Sequence, residues 1–189
     1  MNYDEHDGHP DWLHINAIDY NPVLDQIVLS IPYFNEFWII NHNTTTEEAA
    51  GSKGDLLYRW GNPQAYDRGA SGDKKLYFQH DVRWINPNAL EGEEDFGKIS
   101  LFNNRLPGGM SSANVVQTMI DGQYQLQNSR FLPEDFERTI IYPEAEERAF
   151  SNALSSAQFL PNGNVLLLAG RWGFAYEITP QYEIVWIYI

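Results

Sequence analysis

The chain has 189 residues with 26 acids against 12 bases, a formal charge of −14, so it lacks the basic footprint that nucleic-acid phosphates or an anionic membrane surface would require. It has no cysteine, which excludes a disulfide framework, a thiolate metal site and a cysteine nucleophile. Apolar residues at 43% are enough for one domain with a core, and six Trp, eleven Tyr and ten Phe favour strands over helices.

The N-terminal stretch MNYDEHDGHPDW is acidic and polar, without the basic start and apolar run of a signal peptide. Its His6 and His9 stand with His14 among four acids. Histidine–carboxylate clusters can hold divalent ions, but this spacing matches no strong ligand motif, and no metal is expected. Four strand-like runs follow: 13–20 (LHINAIDY), 26–33 (QIVLSIPY), 36–42 (EFWIINH) and 55–61 (DLLYRWG). Short turn signals separate the first three, and a polar insert at 43–54 precedes the fourth. Within that insert TTT before EE predicts a helix cap.

A second group predicts strands at 81–86 (DVRWIN), 98–104 (KISLFNN), 112–119 (SANVVQTM) and 138–143 (RTIIYP). Polar inserts at 62–78, 87–97, 104–111 and 120–137 read as loops, with single helical turns near 133–138 (PEDFER) and 143–150 (PEAEERAF). The acids of LEGEEDFG at 90–97 are not spaced as a calcium loop and read as solvated charge. Ser111 and Ser112 lack a nucleophile-elbow context. A third group is 153–160 (ALSSAQFL), 165–170 (VLLLAG), 174–179 (FAYEIT) and 183–189 (EIVWIYI), joined by the turns PNGN and PQY.

Three four-stranded meanders in tandem form a repeat, and radial repetition of such sheets is the β-propeller plan. The fold expected is all-β, a propeller of four-stranded antiparallel blades over 13–61, 80–143 and 153–189 within one domain spanning 1–189. About three blades do not close a ring. The expectation is therefore that they form part of a larger ring, or that copies associate to cover open sheet ends such as VWIYI. No apolar run is long enough to cross a membrane as a helix.

In a propeller the first strand of each blade lines the channel. His14 and His80 head two such strands, and Arg105 follows the second strand of the second blade. Two imidazoles and a guanidinium converging on a channel mouth would bind a tetrahedral anion: arginine offers forked planar donors, and histidine donates a hydrogen bond or a proton near neutrality. Each histidine can equally be a strand-end residue hydrogen-bonded to a neighbour.

These residues carry a resemblance. DWLHINAIDYNP, DQIVLS, FNEFWIINH, GDLLYRWGNPQAY, QHDVRWI, LFNNR and LPNGNVLLLAGRWGFAYEITPQYEIVW together resemble the aryl-sulfate sulfotransferase family, whose members are six-bladed β-propellers. The resemblance implies transfer of a sulfuryl group from a phenolic sulfate to another phenol through a histidine, without a cofactor. It implies that His14, His80 and Arg105 belong to the sulfuryl site, that the ligands are aryl sulfates or phenols, and that the protein is periplasmic or extracellular. At the position of the family's nucleophilic histidine the chain reads LAGRWGFAYEI, and no histidine follows His80. Arg171 there is a candidate anion binder that cannot accept a sulfuryl group. The alternative to an enzyme is a non-catalytic propeller that binds a ligand or assembles.

Overall fold

The computed structural model describes residues 10–141 and 150–189. The first sheet is a meander of β1 (Ala17–Asn21), β2 (Gln26–Ile31), β3 (Glu36–Asn41) and β4 (Tyr58–Trp60), each antiparallel to the next. Its turns are built by residues that tolerate left-handed backbone. The side chain of Asn21 accepts from the N–H groups of Val23 and Leu24, and Asp25 closes the turn at φ 51°. Asn35 does the same between β2 and β3 at φ 55°. The register places Val28, Ile39 and Tyr58 abreast, and Ser30, Phe37 and Trp60 abreast, on one buried face. This is the period-two pattern of a strand with one face against a core.

Between β3 and β4 a single-turn helix, α1 (Thr46–Ala49), starts at Thr45, whose hydroxyl caps Glu48 while the Glu48 side chain returns to the Thr45 N–H. This is the reciprocal cap expected from TTTEE.

The second sheet contains β5 (His80–Trp84), β6 (Lys98–Leu106) and β7 (Met110–Gln117). A small hairpin, β8 (Leu126–Gln127) and β9 (Arg130–Phe131), interrupts the long connection before β10 (Arg138–Ile141) joins the edge of β7. The third sheet is again a meander, without an inserted helix: β11 (Ser156–Phe159), β12 (Val165–Ala169), β13 (Phe174–Ile178) and β14 (Ile184–Tyr188).

The second sheet is the middle layer. From β6, Ile99 and Leu101 enter a core shared with Val28, Phe37, Ile39, Tyr58 and Trp60, while Phe102 faces the other way into a core with Val165, Leu167, Tyr176 and Ile178. A strand buried on both faces needs apolar residues in succession rather than in alternation, which is how ISLF reads.

Three expectations change. His14 does not head a strand: it lies three residues before β1 with φ 51°, because LHI turns the chain onto the aromatic ring of Tyr33 before pairing begins. Arg105 does not follow β6 but lies within it. The β6–β7 hairpin runs to Leu106 and Met110 around a tight PGG turn, with a register shift between Asn103 and Leu106, so the loop expected at 104–111 shrinks. The segment 133–138 makes no helical turn; Pro133 and the Asp135 side chain, which accepts from the Phe136 N–H, favour bends. The turn expected at 143–150 and the cluster at His6 and His9 lie outside the described residues.

The first strands of the three sheets lie side by side. Asp19 on β1 accepts from the Trp84 N–H of β5 at 2.9 Å, and Asp81 on β5 accepts from the Ala157 N–H of β11 at 2.9 Å. Together these strands line a groove of about 540 Å³ whose walls include Asn16, Asp19, His80, Asp81, Arg83 and Leu154.

Candidate functional site

The site is organised by the three residues that precede β5. Gln79 is fully buried and donates to the Glu36 carbonyl at 2.6 Å and to the Ser30 hydroxyl. The Phe78 N–H donates to the Asn35 side chain at 2.9 Å, and the Tyr77 N–H to the Asn103 side chain at 2.7 Å. These bonds tie the segment to the first sheet on one side and to β6 on the other. They hold Phe78 at φ 56°, an uncommon conformation for a bulky residue that persists only when the surroundings over-determine it.

Glu36 supports the same corner from below. It is fully buried, accepts from the Trp38 indole at 2.7 Å and pairs with Arg59 at 2.5 Å. Burial raises its carboxyl above the ordinary range, opposed by the Arg59 charge.

Three of the four candidate residues meet around the Phe78 ring. The Arg105 guanidinium carbon lies 3.7 Å from the ring centroid. The ring centres of His80 and His14 lie 5.7 Å and 6.0 Å away. His14 also stacks on Tyr33 at 4.7 Å and contacts Asp11 through Nδ1 at 2.6 Å. Arg105 donates from Nε to the Asn152 carbonyl at 2.7 Å, and among the described residues no carboxylate pairs with it. A guanidinium over an aromatic ring, held by a backbone hydrogen bond and paired with no carboxylate among the described residues, is a cation that can face an anion.

His80 is mostly buried and its ring nitrogens face protein groups: Nδ1 lies 2.8 Å from the Asn104 side-chain oxygen, and Nε2 accepts from the Leu154 N–H at 3.1 Å. Burial lowers its pKa below the ordinary histidine value. The hydrogen bonds to Asn104 and Phe78 oppose the shift, and the neighbouring His14 and Arg105 add to it.

Arg171 is exposed in the turn after β12. Its backbone N–H donates to the Ser151 hydroxyl, but among the described residues its guanidinium makes none of the ring contacts that gather the other three. Among the described residues its link to the site runs through Ser151.

Several residues of the site carry no motif of their own. Phe78, Tyr33, Asn104 and Asn152 are visible in the sequence only as neighbours of the histidines and arginine. The one available signal is the pair of asparagines in LFNNR, polar residues in the middle of a run that becomes fully buried: both Asn103 and Asn104 are 0% exposed. A buried amide in a strand implies a specific set of partners.

No protein with a curated description matches the chain. A family profile described as Arylsulfotransferase (ASST) does match, over residues 2–186, which is nearly the whole length. That match over nearly the whole length, together with the antiparallel sheets, means that the chain belongs to the arylsulfotransferase family.

Proposed function

We propose that the protein is arylsulfotransferase-like and binds the sulfuryl group of an aryl sulfate, or a related sulfate ester, at the cluster of Arg105, His14 and His80 around Phe78. The observation that carries this reading is the Arg105 guanidinium over the Phe78 ring, paired with no carboxylate among the described residues. A sulfuryl group in transfer spreads negative charge over its equatorial oxygens, and a donor already in place stabilises that charge without reorganisation. Arg171 is proposed as a peripheral anion contact. The same reading makes the three sheets blades of a six-bladed propeller, completed by further blades or by association of copies. It also gives a periplasmic or extracellular location, on the family alone. Among the described residues no helix is long and apolar enough to cross a membrane.

A second reading is a binding module without transfer. It is favoured by the absence of any histidine after His80, where the residues from Arg171 to Phe174 offer no group to carry a sulfuryl group. One experiment separates the two. The protein is exposed to 4-nitrophenyl sulfate, and its intact mass and the release of 4-nitrophenol are followed. Binding with neither a mass gain nor phenol release selects the module. A gain of one sulfuryl group selects the transferase. No binding at all sinks the site.

A further inference from the structure

The partners of His80 determine which ring nitrogen carries the proton. Nε2 faces the backbone N–H of Leu154, a group that can only donate, so Nε2 accepts. Nδ1 lies 3.2 Å from the Phe78 carbonyl, a group that can only accept, so Nδ1 carries the hydrogen. The same nitrogen lies 2.8 Å from Oδ1 of Asn104.

The orientation of the Asn104 amide is determined at its far end. Nδ2 donates to the carbonyls of Ser151 and Leu154, both at 2.8 Å. A flipped amide would set its oxygen against two carbonyl oxygens and its NH2 against the imidazole N–H, so only one orientation satisfies the set. The frame extends through Ser111, whose hydroxyl donates to the Asn104 carbonyl at 2.7 Å and accepts from the Ser151 N–H at 3.0 Å. Asn104 and Ser111 are both buried, so each of these bonds is shielded from water.

We propose that Asn104 is a positioning residue: it holds His80 as the Nδ1-protonated imidazole and turns Nε2, as an acceptor, toward the 151–155 segment. Arg105 is then the cationic member of the pair. His80 meets a phenol at Nε2 as a lone pair, by exchanging the Leu154 N–H for the phenol O–H, while the sulfuryl oxygens, which carry no hydrogen, are left to Arg105 and His14. Leu154 and Ser155, at φ 61° and 86°, form the wall of the groove where that exchange occurs. This last step rests on the anion-site reading; the tautomer does not.

The test is a long-range proton–nitrogen NMR spectrum of the 189-residue chain, with the His80 signals assigned by their loss in His80→Gln. The expected result is an Nδ1–H imidazole at neutral pH; an Nε2–H imidazole overturns the proposal. In Asn104→Ala the signals should move to a mixture of the two tautomers. A folded variant that keeps the pure Nδ1–H form also overturns it. Should the alanine variant not fold, the wild-type tautomer alone decides: the Nδ1–H form supports the proposal and the Nε2–H form overturns it. Titrating inorganic sulfate while observing the Arg105 Nε–H tests the anion site separately. Silence there removes the site reading and leaves the tautomer result standing.

Discussion

The guanidinium of Arg105, on β6, lies over the ring of Phe78, which precedes β5, with 3.7 Å between the arginine carbon and the ring centroid. The two residues are joined by more than this stack: the Arg105 N–H donates to the Tyr77 carbonyl at 2.9 Å, so the backbone that turns Phe78 outward also aligns Arg105. Among the described residues an aromatic ring, and no carboxylate, faces the guanidinium. That makes Arg105 the residue on which anion binding should depend most.

Arg105→Ala should weaken binding of 4-nitrophenyl sulfate at least tenfold, since a hydrogen bond to a charged group contributes about 1.5–3 kcal/mol. The fold should be retained, because the side chain is exposed and among the described residues its one side-chain hydrogen bond is to Asn152. Isothermal titration of wild type and variant measures the difference. Equal affinity would remove Arg105 from the site.

Phe78→Leu keeps an apolar side chain of similar reach but removes the π face. The expected loss is about 0.5–2 kcal/mol of ligand affinity, the range for a cation over an aromatic ring. Phe78→Gly is informative in the other direction. It relieves the positive φ of 56° yet should weaken binding further, since neither Arg105 nor His14 would have a platform. If the two variants bind as wild type does, the ring is only packing.

Glu36 is fully buried beside Arg59, whose side chain is 19% exposed. Removing one member of such a pair leaves an uncompensated charge, so Glu36→Gln should cost on the order of 3 kcal/mol of stability. Urea melts give the number. Replacing both, as Glu36→Gln with Arg59→Met, should recover part of it, and a double variant no better than the single would show that the pair is not the source of the loss.

Asp19 and Asp81 each accept one N–H from the first strand of the next sheet, at Trp84 and Ala157. Truncating either acid to alanine should cost about 1–3 kcal/mol, the penalty of a backbone donor left without its partner. Hydrogen exchange should localise the effect: Asp19→Ala should speed exchange at the Trp84 amide and Asp81→Ala at the Ala157 amide. Unchanged exchange at those amides would mean that water replaces the carboxylate at no cost.

The depressed His80 pKa gives a pH signature. In the folded protein His80 stays neutral at pH values where the unfolded chain binds a proton. Stability therefore falls as pH drops through the unfolded histidine value, about 6.5, and is fully lost to this group once pH passes below the folded pKa. Glu36, raised by burial, contributes with the opposite sign. Melting temperatures from pH 7.5 to 5 should decline, and the decline should be shallower in His80→Gln. Parallel profiles for the two proteins would exclude His80 as the cause.

The sequence by itself determined the strands and their grouping. Periodicity and turn residues are local: the left-handed tolerance of Asp25 and Asn35, the alternation in QIVLSI and the reciprocal cap at TTTEE act within a few residues and read directly from the chain. His14, His80 and Arg105 could be singled out because the stretches around them resemble a family. What those side chains face was not legible. Phe78 becomes a platform only because Asn35 and Asn103, from two different sheets, hold its backbone in a conformation that its own type disfavours. The state of His80 is imposed by Asn104 and by Leu154, a residue 74 positions later in the chain. Only the stacking of the three sheets brings these groups together, because a hydrogen bond or a ring contact depends on distance in space, and the chain encodes that distance only through the packing of its whole core.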